Sequence, residues 1–128
     1  MTTAIDTVRA IYDAIAAGDM AAIAARIAPD IRIEQTPDLP WGGTFEGLAG
    51  FAQFSKTLRT HIDSRVAVDR IFEAGDDVVV IGRTIGQTKT NATPFEVAVA
   101  HVLTVRDGEV THARYFIDTP AMLAALNA

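Results

Sequence analysis

Few residues of this chain could do chemistry, and the most telling is His101. It stands in Phe95–Arg106 among Phe95, Val97, Val99, Leu103 and Val105, which recur at every second position. A titratable ring on an apolar face either satisfies a structural hydrogen bond or handles protons, because burying a polar group without a partner is unfavourable. To act as acid or base it needs a pKa near neutrality and a substrate proton within reach. Tyr12, among apolar residues at helical spacing, can donate to a developing oxyanion. Gln35 can hydrogen-bond a ligand but cannot take a proton as a base. Tyr115 falls on the strand after His101 and is a further pocket candidate. Trp41, the only Trp, reads as a lid or an aromatic wall, and Phe51 and Phe54 read as cavity wall.

Other chemistries lack their residues. There is no Cys, so disulfides, thiolate ligands and a thiol nucleophile are ruled out. His61, His101 and His112 have no metal-ligand spacing, and neither a metal nor a cofactor is expected. Ser55 and Ser64 are the only serines, and neither sits on a nucleophile elbow. Gly42-Gly43 lacks the Lys and helix start of a phosphate loop.

The elements that must position these residues follow from periodicity. Ile5, Val8, Ile11, Tyr12 and Ile15 predict a helix capped by Thr3 and closed by Gly18. Asp19 caps a second, short helix with Met20, Ile23 and Ile27 inward, stopped at Pro29-Asp30. Ile31, Ile33 and Gln35 alternate with Arg32 and Glu34 as a strand with one face buried. Residues 36–47 read as a Pro- and Gly-rich loop carrying Trp41, and a third helix begins near Leu48. Strands are predicted over Val66–Phe72, Val78–Gln87, Phe95–Arg106 and Val110–Asp118, then a helical tail over Pro120–Leu126. Helices first and an antiparallel sheet afterwards predict an α+β fold.

With 128 residues, one domain spanning 1–128 is expected. The net charge of −5 disfavours nucleic acid or an anionic membrane as partner. No apolar run is long enough to span a bilayer, and Met1–Asp6 lacks a leader pattern, which suits the cytoplasm.

The order helix, helix, short strand, helix, four long strands resembles the nuclear transport factor 2-like superfamily. It is closest to the polyketide cyclase (SnoaL-like) and ketosteroid isomerase branches. The likeness rests on residues 11–19 (Ile-Tyr-Asp-Ala-Ile-Ala-Ala-Gly-Asp), residues 27–31 (Ile-Ala-Pro-Asp-Ile), and the hairpin from Val105 through Asp107-Gly108 to Asp118. It implies a cone-shaped fold, with N-terminal helices packed across a strongly bent sheet that encloses a pocket. It also implies a homodimer. The isomerases' oxyanion-binding Tyr falls at Tyr12, their carboxylate base at Gln35 and their protonated Asp at His101. The cyclases resemble this chain in a His at the place of His101, and their late-strand Asp falls at Tyr115.

The Asp107-Gly108 turn sets which residues share a face. A bulge at Gly108 would pair Val105 with Glu109 and set His101 opposite Ala113; a plain two-residue turn would set it opposite Arg114. The first is preferred because it gathers His101, Tyr115 and the apolar residues on one face. Ala98, Ala100, Val102 and Phe116 then centre the outer face, rimmed by His112, Arg114 and Asp118, as a sheet-to-sheet dimer contact would be.

These observations lead to two expectations. One is a cofactor-independent enzyme acting on a small hydrophobic carbonyl or polyketide-like compound. It would work by isomerisation, cyclisation or dehydration, with His101 and Tyr12 catalytic and Gln35, Trp41, Phe51, Phe54 and Tyr115 lining the substrate site. The other is a non-catalytic binding module for a small apolar ligand.

Overall fold

The computed structural model describes residues 3–128; Met1 and Thr2, the start of the segment read for a leader, lie outside the described residues. Helix α1 (Ala4–Ala17) begins at Thr3, whose hydroxyl accepts from the Asp6 N–H while the Asp6 carboxylate accepts from the Thr3 N–H. This reciprocal box satisfies two of the donors a helix start leaves free. Gly18, at φ 69°, closes the helix in the left-handed region. Asp19 caps α2 (Met20–Ala24). The rest of the chain runs β1 (Ile27–Gln35), β2 (Gly43–Glu46), α3 (Gly47–His61), β3 (Ile62–Ala74), β4 (Asp77–Thr88), β5 (Pro94–Arg106), β6 (Glu109–Ile117) and α4 (Thr119–Leu126).

Six strands form one curved, unclosed sheet in the order β2-β1-β6-β5-β4-β3. β1 and β6 run parallel, and every other neighbouring pair is antiparallel. Curvature comes from local devices. β3 carries a register shift between Val68 and Arg70. Beside it, a Cβ on Gly82 would stand 2.2 Å from the Ala67 carbonyl oxygen, so only glycine admits this approach of β4 to β3. Helix α1 packs over β3–β6, and α3 covers β1 and β2. Val8, Ile33, Val78, Val80, Val110 and Met122 are fully enclosed between these layers.

The α+β architecture matches expectation, and several details correct it. Residues 27–30 belong to β1, not to the end of the second helix, because Ile27 pairs with Val110 of β6. Pro29 is tolerated because it lies where the β1–β6 register shifts, so its missing N–H breaks no regular ladder. Met20 is exposed rather than inward, since α2 has only five residues and too few turns for spacing to fix a face. The loop read over 36–47 contains β2, which pairs with Arg32–Gln35. β3 starts at Ile62 rather than Val66, directly after α3.

The register of the last hairpin also differs. Arg106 pairs with Glu109 across a two-residue turn, with Asp107 at φ 54° and Gly108 at φ 78°. Thr111 is then inserted as a bulge, so His101 pairs with Tyr115 and not with Ala113. Because Tyr115 and Ala113 are two residues apart, the division of faces survives the wrong partner.

Candidate functional site

Three adjacent strands set three polar side chains in a row. Gln35 on β1 pairs with Tyr115 on β6, and Tyr115 pairs with His101 on β5. Tyr12 reaches the row from α1, and its hydroxyl shares a 2.5 Å hydrogen bond with His101 Nδ1. The Tyr12 and His101 rings are stacked with centroids 5.9 Å apart, and Tyr115 meets the edge of His101 at 4.7 Å. Phe54 stacks on Tyr115 at 5.4 Å. Gln35 Oε1 accepts from the Thr36 N–H, which turns the amide nitrogen away from its own backbone.

All the candidate residues converge on one cavity of about 390 Å³. Tyr12, Gln35, His101 and Tyr115 form its polar wall. Trp41, Phe51 and Phe54 form its aromatic wall. Trp41 is wall rather than lid: it is buried with its ring 6.1 Å from that of His61. A second cavity of about 330 Å³ shares Gln35, Tyr115, Phe116 and Ile117 but is otherwise bounded by groups such as Glu34 and Arg114. Those two are already paired, with His112 and Asp77 respectively.

Burial dominates the electrostatics. It pushes the His101 imidazole down from 6.5 to about 4, so the ring is neutral through the physiological range. Burial first, and the neighbouring Tyr115 second, push the Tyr12 hydroxyl well above its usual value. Burial also raises Tyr115 to about 12. The polar wall is therefore uncharged. The near-neutral titration expected of His101 is not what this setting gives, because no opposite charge stands close enough to offset the lost hydration.

With both partners neutral, the Tyr12–His101 bond can run two ways. Tyr12 O–H donating to Nδ1 puts the ring proton on Nε2; the opposite tautomer leaves the Nε2 lone pair free. Among the described residues Nε2 has no protein hydrogen-bond partner. It is thus the atom of the ring left for a ligand, as a donor in one tautomer and an acceptor in the other.

Sequence reasoning missed the mouth of this cavity. Ile15 and Met20 line it from the α1–α2 side, and Arg59, Asp63, Arg65 and Lys89 line it from the end of α3 and the β3–β4 edge. No periodic signal marks residues 62–65, which only the pairing of β3 with β4 turns into strand. Among the described residues no three His, Asp or Glu side chains gather where a metal ion could sit.

The SnoaL-like domain family matches residues 8–113, and the chain belongs to that family. A nuclear transport factor 2-like protein from Burkholderia thailandensis is 30% identical, with 98% of each chain covered and a TM-score of 0.90. TerC, crystallised with polyporic acid, is 27% identical over 97% of this chain and 98% of its own, with a TM-score of 0.88. A protein from Pseudomonas putida assigned to the polyketide cyclases has a TM-score of 0.85 at 19% identity, with 98% of each chain covered. That last likeness shows the fold alone. No curated protein matches the chain. Among the described residues no helix is long and apolar enough to cross a membrane.

Proposed function

We propose that this chain is a cofactor-independent enzyme. It takes a small hydrophobic carbonyl or polyketide-like compound and moves a proton in an isomerisation, cyclisation or dehydration. The observation that carries the reading is the buried Tyr12–His101–Tyr115 cluster on the cavity wall, with His101 Nε2 left unpartnered. A neutral imidazole can serve in two ways. Its Nε2 lone pair is available at pH 7; the ring is a weak base in the empty cavity, and its proton affinity rises as it takes a proton from the carbon next to a carbonyl, because the enolate that develops beside it stabilises the imidazolium. In the other tautomer Nε2–H donates to the carbonyl oxygen, as a neutral His does when its pKa is held low. Tyr115 and the Gln35 amide orient the oxygen, and Trp41, Phe51 and Phe54 exclude water.

Deuterium exchange tests the proposal without a known substrate. Small apolar ketones incubated with the protein in D2O should exchange their α-hydrogens faster than in buffer, and His101→Ala should abolish the gain. Equal exchange by wild type and variant contradicts the proposal.

The missing carboxylate bases favour a second reading, a binding module for a small apolar ligand. TerC, solved with polyporic acid, supports a ligand in this fold. Binding without exchange selects that reading.

The chain is further proposed to pair with a second copy through the outer sheet face. Phe116 is 54% exposed there beside Ala98 and Ala100, and Arg114 Nε is buried without a partner. Phe116→Glu should halve the mass seen in sedimentation; an unchanged mass would remove this interface.

A further inference from the structure

The mouth of the cavity is built differently from its floor. On one lip Ile15 and Met20 are 51% and 47% exposed, two of the five large apolar side chains left open to solvent among the described residues. On the other lip stand Arg59 and Lys89. Asp63 and Arg65 border it too, but they pair with Gln87 and Ile85, so their side chains leave from the outer face of the sheet. Neither Arg59 nor Lys89 has an ion-pair partner among the described residues. The chain has 11 Lys and Arg against 16 Asp and Glu, yet the side chains on this lip include two cations and no carboxylate. The excess of positive charge is therefore local and runs against the balance of the whole protein.

We infer that the cavity takes a ligand with an apolar body and an anionic group, the anion held at the mouth by Arg59 and Lys89. This inference rests on the pocket reading above and adds the class of ligand. The floor cannot hold the anion. Tyr12, His101 and Tyr115 are neutral there, and a carboxylate beside them would lose its hydration with no countercharge. At the mouth the anion stays hydrated and gains the field of two cations, a field that salt screens within about 8–10 Å. The apolar lip accepts the part of the body that the cavity does not enclose. An orientation follows: the carbonyl end of the ligand lies at His101 and the acid end points out between α3 and β3.

Two fluorescent probes that differ by one sulfonate test this. N-phenyl-1-naphthylamine is neutral, and 8-anilinonaphthalene-1-sulfonate has a closely similar frame with an anion. Wild-type protein at low ionic strength should bind the sulfonate about tenfold more tightly than the neutral probe, a preference that shrinks as salt rises. Replacing both cations together (R59Q and K89Q) should erase the preference and leave the neutral probe's affinity within about twofold. Arg59→Lys should retain it. Neutral-probe binding with no preference for the sulfonate, or a preference that survives the double substitution, overturns the inference and leaves the pocket standing. If neither probe binds, the pocket reading falls and the inference falls with it.

Discussion

His101 and His112 sit on neighbouring strands of one sheet, on opposite faces, and the contrast shows how environment assigns a role. His101 faces the cavity, 8% exposed, with a phenol as its partner and no charge nearby. His112 faces outward, about a third exposed, and shares a 2.5 Å hydrogen bond with Glu34. That bond holds the Glu34 carboxyl below its usual range. Around it Arg32 and Arg114 add to a solvated network, completed by the Arg114–Asp77 pair. A charged network of this kind on an accessible face contributes little to stability, because water screens it. The buried neutral pair is different: its geometry is fixed, and breaking it strands a polar atom away from water.

Breaking each side in turn should give effects of very different size. The largest is on proton exchange: His101→Ala should lower the rate of α-hydrogen exchange by about 100-fold or more, while His112→Ala leaves it within about twofold. The next is on pH dependence. The unfolded chain takes up a proton at His101 below about 6.5, the folded chain only near 4, so stability falls as pH falls through that window. Urea unfolding at pH 7 and pH 5 should differ by roughly 2 kcal/mol from this group, and His101→Gln should remove that part of the difference. Equal pH dependence in wild type and variant would mean that the ring is not desolvated. Smaller again, Tyr12→Phe leaves Nδ1 without its partner and should cost about 1–2 kcal/mol in the same assay. The smallest is His112→Gln, which should change stability at pH 7 by no more than about 0.5 kcal/mol.

The sequence showed the faces more clearly than the pairings. Alternation in Phe95–Val105 and Ala113–Ile117 placed His101 and Tyr115 on one side of the sheet, because a strand's period of two is written in its residue types. The bulge at Thr111 left no such mark; a threonine in a strand looks the same whether paired or inserted. Tyr12 and Gln35 were legible as candidates because each is polar at the edge of an apolar pattern. Gln35 joins the row through the parallel β1–β6 pair and Tyr12 through the packing of α1 on β5, long-range contacts that no local pattern encodes. The low pKa of His101 was equally hidden, since it comes from what surrounds the ring in space. The mouth was the least visible part: Arg59, Asp63, Arg65 and Lys89 look like ordinary surface residues until α3, β3 and β4 bring them to one opening.

The most direct test of the account is a nitrogen-15 NMR titration of the histidine rings, with the cavity empty and then filled by N-phenyl-1-naphthylamine. The account predicts that His101 stays neutral from pH 5 to 8 and titrates only near 4. It also predicts that filling the cavity shifts the His101 Nε2 resonance and leaves His112 unmoved. A His101 that titrates near 6.5, or whose ring nitrogens ignore a saturating ligand, would contradict it.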